Sequence, residues 1–257
     1  MKSDRRTAYL HAMGVQVWQA RAMEAPASRA AAEQERTEGG VTPTATGVAD
    51  ASGSLATPIQ YQSGTTPAEA AEIWATLQAE VRGCTACKLH QGRTQTVFGV
   101  GDQRARWMII GEAPGAEEDI QGEPFVGRAG KLLNEMLFAV GLKREEVYIA
   151  NIVKCRPPNN REPQPDEAAA CARYLRTQID LIQPKLIVCV GRIAATNLLG
   201  TYPTLGQYRG KLHHYADTGI PVVVTYHPAY LLRNPLDKRR AWQDLQFAAS
   251  IYRPGLQ

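Results

Sequence analysis

From residue 67 onward, short apolar runs alternate with amphipathic stretches. The runs are "WMII" at 107–110, "VYIANIV" at 147–153, "KLIVCVG" at 185–191 and "PVVVTY" at 221–226. Each is nearly continuous rather than alternating and short for a helix, which is the pattern of a strand buried on both faces. Between them lie helical patterns: "TPAEAAEIWATLQAEVRG", "RAGKLLNEMLFAVG", "PDEAAACARYLRTQIDLIQ", "RIAATNLLG" and "LDKRRAWQDLQFAASIY". Thr66 before Pro67 reads as an N-cap with proline at the first helical position. Strands alternating with helices predict an α/β fold with three α/β/α layers around a central, mainly parallel four-stranded sheet.

The pattern fades before residue 67. Residues 24–66 are dominated by Ala, Thr, Gly, Ser and Glu. They hold too few large apolar side chains to offset their ordering entropy, so a disordered linker is expected. Ahead of it, Tyr9, Leu10, Met13, Val17 and Trp18 share one stripe of a possible short helix, weakened by Gly14. Two readings stay open for residues 5–20: a frayed tail, or a docking helix for a protein partner. The expected division is therefore a tail over 1–66 and a folded domain over 67–257.

Charge adds a little to this picture. The chain of 257 residues carries a net charge of +4. Residues 1–66 hold six Lys+Arg and six Asp+Glu, leaving 23 against 19 on the rest, so the excess lies wholly on the folded part. That hints at a polyanion partner. No apolar run approaches the roughly 18 residues of a membrane span, and the N terminus lacks a secretory pattern. A cytoplasmic monomer with no membrane contact is expected. Five cysteines, an odd number, argue against a disulfide framework.

In a parallel sheet the ligand site lies beyond the carboxyl ends of the strands. Three polar features fall there: "GEAPG" after the first run, Asn151 at the end of the second, and "HPAYLLR" after the last. A second constellation is formed by Cys84 and Cys87 of "CTAC", with Cys155 and Cys171 further on; Cys189, inside a strand, reads as a small apolar residue. Four thiols suit tetrahedral zinc or a [4Fe–4S] cluster. Spacing alone leaves both open, along with four unrelated thiols. The acidic loop "GEAPGAEEDIQGEPFVGRAG" carries five carboxylates and one arginine, the wrong sign for holding phosphate. No phosphate-cradling G-x-x-x-x-G-K-[ST] motif occurs.

That loop, "NIVKCRPPNNR", "HPAYLL" and the four cysteines together resemble the family-4 (thermophile-type) uracil-DNA glycosylases. The resemblance covers about residues 67–250 and leaves out the tail. It implies a structural [4Fe–4S] cluster on Cys84, Cys87, Cys155 and Cys171. It also implies excision of uracil from DNA, with an abasic site and free uracil as products. Relatives often have His-Pro-Ser where this chain has His-Pro-Ala, so a hydroxyl is missing at Ala229. A covalent uracil-trapping branch carries an extra His in a basic loop. The matching stretch here, "KCRPPNNREPQP", has none, which argues for turnover.

On this reading Phe125 stacks on the flipped base, and Asn151 accepts from uracil N3–H and donates to O4. Gly111, Glu112 and Ala113 line the pocket. His227 stabilises the departing anion, and Glu112 or backbone carbonyls hold the water. Glu118 lies near uracil C5, where a thymine methyl would clash. Leu231 and Leu232 are wedge candidates, set against plain helix packing. Lys154, Arg156, Arg161, Arg209, Lys211 and Arg233 are phosphate candidates. A rival reading is a non-catalytic iron–sulfur or zinc module that binds nucleic acid.

Overall fold

The computed structural model describes residues 66–252. The expected tail helix and linker lie outside the described residues. In chain order the main elements are α1 (Pro67–Gly83), β1 (Val100–Gly101), β2 (Trp107–Gly111), α2 (Ala116–Gln121), α3 (Arg128–Ala139), β3 (Tyr148–Asn151) and α4 (Pro165–Ile182). They continue with β4 (Leu186–Val190), α5 (Arg192–Leu199), α6 (Leu205–Tyr208), β5 (His213–Tyr215), β6 (Ile220–Thr225), α7 (Pro228–Arg233) and α8 (Lys238–Ile251). The start of α1 follows from its sequence. The Thr66 N–H donates to the Glu69 carboxylate at 2.7 Å, and the Glu69 N–H donates to the Thr66 hydroxyl, closing a capping box.

The sheet has six strands in the order β1-β3-β2-β4-β6-β5. The four expected strands form its parallel centre, β3-β2-β4-β6. Four is nevertheless too few, because β1 and β5 add antiparallel edges. "VG" and "HHY" are too short to show a period, and short edge strands are a usual defence against unwanted pairing.

Alternate residues of the central strands feed two cores. Met108, Ile110, Ala150, Ile187 and Cys189 face α1 and α4, where Leu77, Val81, Tyr174 and Leu175 meet them. Trp107, Ile109, Ile149 and Val188 face the other way, onto Leu133 and Leu137 of α3 and Ala248 of α8. These are the three layers. Register then aligns the strand ends: Gly111 pairs with Asn151, and Val190 pairs with Thr225. Among the described residues no helix is long and apolar enough to cross a membrane.

Arg209 fastens the end of β6 to α8. Its guanidinium donates to both Asp244 oxygens at 2.7 and 3.0 Å, and to the Tyr226 hydroxyl at 3.1 Å. Tyr226 stacks on Tyr230 with ring centroids 5.2 Å apart. Arg209 is thus committed inside the fold, a correction to its expected role at a phosphate. Arg209→Met leaves the buried Asp244 carboxylate unpaired and is expected to lower the unfolding free energy by about 3–5 kcal/mol. Urea denaturation reads this, and adding Asp244→Leu should recover most of the loss.

Candidate active site

The carboxyl ends of β2, β3, β4 and β6 form one rim. Gly111 ends β2 because no side chain fits there: a Cβ would run into the Asn151 side chain and the Phe125 ring. Asn151, ending β3, is 2% exposed, and its Oδ1 accepts no hydrogen bond. A buried acceptor left so costs about 1–3 kcal/mol, which marks a place prepared for a donor. Gly191, after β4, has φ +102°, and a Cβ there would lie 3.2 Å from the His227 Cβ. The His227 ring centroid is 5.6 Å from that of Phe125, at 33°.

Phe125 is held by an unusual backbone. It has φ +54° and is buried. Arg144, which the sequence reading missed, donates to the carbonyls of Pro124 at 2.6 Å and Phe125 at 3.2 Å. Gly130 leaves room for the Phe125 carbonyl, which a Cβ would strike. Glu118 spans the loop: its carboxylate accepts from the N–H groups of Gly115, Val126 and Gly127 at 3.0–3.1 Å. Asp119 is buried and accepts from the Thr94 N–H at 3.0 Å. Two acids of this loop therefore shape its backbone.

His227 caps α7. Its Nδ1 accepts the Ala229 N–H at 3.1 Å, so a neutral ring carries its proton on Nε2. The main chain of Ala229 thus does what needs no hydroxyl. Burial, helped by the Arg233 charge, pulls the imidazole down from 6.5 to about 4, while Glu118 pulls weakly the other way. The ring is neutral at physiological pH and a pure Nε2–H donor. Glu112, half-buried at the β2 end, is pushed up to about 7 by burial and then by Glu162, with Arg192 opposing. Arg192 and Glu162 are paired at 3.2 Å, a rim pair absent from the sequence reading. Ala113 is half-buried and packs against the core.

Several expected surface roles are corrected. Leu231 is 1% exposed among Leu132, Met136 and Leu245, so it packs the helix rather than facing solvent. Leu232 is 38% exposed and Leu236, in the turn after α7, is 94% exposed. Lys154 is buried. Arg161 is paired with Glu167 at 2.6 Å. Arg156 donates to Asn160 Oδ1 at 2.8 Å. Lys211 and Arg233 are exposed.

Cys84, Cys87, Cys155 and Cys171 line a single cavity together with His90, Arg93 and Tyr174. Cys189 is buried in β4, as expected. Arg93 Nη1 donates to Cys155 Sγ at 3.1 Å and to the Cys84 carbonyl at 2.8 Å. The Lys154 N–H donates to Cys171 Sγ at 3.3 Å. Burial pushes the Cys155 and Cys171 thiols up, the latter to about 12. Among the described residues no three His, Cys, Asp or Glu side chains converge as a ready single-ion site.

Residues 98–246 match the family model of the uracil DNA glycosylase superfamily. The chain is 46% identical over 162 residues to a type-4 uracil-DNA glycosylase of Archaeoglobus fulgidus, covering 61% of this chain and 81% of the relative. It is 44% identical over 183 residues to the type-4 uracil-DNA glycosylase of Thermotoga maritima, covering 70% and 95%. A type-5 uracil-DNA glycosylase of Thermus thermophilus is more distant, at 33% over 149 residues, covering 51% and 68%.

Two outcomes follow for the rim. Gly111→Ala forces the Asn151 side chain and the Phe125 ring to shift, and should lower both the urea midpoint and the affinity for any planar ligand held by those two residues, as read by denaturation and ligand titration. For His227, the unfolded chain binds a proton near pH 6.5 that the folded chain resists until about 4. Stability therefore falls as pH drops through that window and levels off below it. Urea midpoints at pH 7 and 4.5 should show a smaller drop for His227→Asn.

Proposed function

The chain belongs to the type-4 uracil-DNA glycosylases of the uracil DNA glycosylase superfamily, and we propose that it flips uracil from DNA and hydrolyses its N-glycosidic bond. The product is an abasic site, the starting point of base excision repair of deaminated cytosine. The observation that carries this for the present pocket is the buried, unpartnered Asn151 Oδ1 beside the Phe125 ring and the His227 donor. An aromatic face, one amide and one N–H donor suit a flipped pyrimidine.

Asn151 Oδ1 accepts uracil N3–H while its NH₂ donates to O4. Cytosine offers an acceptor at N3 and a donor at N4, so both contacts fail and the base is rejected. Phe125 stacks on the ring. As the bond to the sugar breaks, its electron pair stays with uracil and charge builds on O2. The His227 Nε2–H donates to that oxygen. A fixed neutral donor suits this role because it strengthens as the charge grows. The sugar becomes oxocarbenium-like, and water adds to it, passing a proton to the Glu112 carboxylate. Glu112 holds that water; with its carboxyl at about 7, it is ionised in a large fraction of molecules at neutral pH. Glu118 supports the loop behind the base, where a thymine methyl would press. Leu232 and the fully presented Leu236 are wedge candidates, with Arg233 and Lys211 for phosphate.

Cys84, Cys87, Cys155 and Cys171 would hold a [4Fe–4S] cluster. Four thiols lining one cavity match the one cysteine that each iron of such a cluster takes. Held there, it would join the segment just after α1, the loop after β3 and α4, a structural role. The catalytic domain spans 67–257 and acts without the tail.

Incubation with a uracil oligonucleotide followed by alkali should break the strand at uracil; retardation without breaks would instead indicate a binding module. His227→Ala should slow cleavage by about a hundred- to a thousandfold while changing DNA affinity little. Asn151→Asp should abolish uracil cleavage. Glu112→Gln should remove an ascending limb near pH 7 from the rate profile. Deleting residues 1–66 should leave cleavage of a short oligonucleotide intact.

A further inference from the structure

Lys154 touches both the four-cysteine cavity and the uracil pocket. It lines the cavity beside Cys155 and Cys171, and its main-chain N–H donates to Cys171 Sγ at 3.3 Å. Its ammonium reaches the other way and donates to the main-chain carbonyl of Asn151 at 3.1 Å and to Gln178 Oε1 at 2.7 Å. Gln178 is fixed in turn, donating to the Phe98 carbonyl at 3.0 Å and the Tyr148 hydroxyl at 3.1 Å. Lys154 is 1% exposed, and neither partner of its ammonium is a carboxylate.

A buried ammonium is costly, and packing alone would be served as well by an apolar side chain. What the lysine adds here is a donor under the end of β3. The Asn151 carbonyl accepts from Lys154 while its side-chain oxygen, also buried, has no partner. Holding the main chain there limits how the amide can turn. The same residue is joined to Cys155 by a peptide bond and to Cys171 by its N–H.

We propose that Lys154 is a positioning residue for uracil recognition, transmitting the geometry of the four-cysteine site to the Asn151 amide. This rests on the glycosylase reading and on a bound cluster at the cysteines. Removing the ammonium leaves the Asn151 carbonyl without its donor, and the strand end shifts toward another. The amide then meets N3–H and O4 off line, while Phe125 and His227 keep their own supports.

The test uses the cluster-loaded full chain and two probes. One is an oligonucleotide with a single sugar-fluorinated deoxyuridine that resists hydrolysis; the other is the same strand with deoxycytidine. Lys154→Met should keep the visible absorbance of the cluster and bind both strands. Its preference for the uracil strand should fall by about five- to tenfold, the scale of one misdirected hydrogen bond. On cleavable DNA its KM should rise more than its kcat falls, and Lys154→Arg should recover part of the preference. Unchanged preference in Lys154→Met with the cluster retained overturns the proposal. If that variant loses its cluster, Lys154→Leu decides, since it removes the same donor to the Asn151 carbonyl with a side chain of different shape; there too, unchanged preference overturns it. A wild-type chain with no preference for uracil would count against the glycosylase reading instead.

Discussion

The pocket depends on how closely the backbones of β2 and β3 approach Phe125 at their carboxyl ends. Gly111 stands opposite Asn151 in the parallel register, and no side chain can be added there. The ladder runs on past the strands: the Ile152 N–H donates to the Gly111 carbonyl at 2.9 Å, and the Val153 N–H to that of Glu112 at 3.3 Å. These bonds hold the Asn151 strand end and the acidic loop in one frame. A parallel sheet buried on both faces gives little room for slippage, because a shift of one residue would exchange its two cores.

Around that frame, charges are used mainly to fix backbone. Glu118 gathers three N–H groups, Arg144 holds two carbonyls, and Arg209 ties β6 to α8. These bonds fix the backbone on both sides of Phe125 and the Tyr226 side chain just before His227. A donor fixed in low dielectric need not reorganise when charge develops before it. The neutral state of His227 belongs to the same design, since a buried imidazolium would already need a counter-charge.

Much of this was legible in the sequence, for identifiable reasons. The four central strands are continuous apolar runs, and the glycine, asparagine and histidine at their ends follow from where ligands bind in parallel sheets. The four cysteines could be grouped because Cys189 sits inside a strand. The edge strands could not be seen, having two and three residues. Nor could the fate of the basic residues: Lys154, Arg161 and Arg209 look alike along a chain, yet each is held by a partner that only the fold brings beside it. Leu231 and Leu232 are neighbours on a short helix, and only packing tells that one faces inward. Arg144 lies outside every motif, so its hold on the Phe125 loop had no sequence signature.

The unpartnered Asn151 oxygen has a consequence for turnover. Uracil still carries N3–H and O4 after it has left the sugar, so the groups proposed to select it would also match the severed base. The abasic strand, by contrast, has lost every contact that the ring supplied. On the proposed roles the two products would leave the protein as independent events, and a pocket built for discrimination would hold its small product longer.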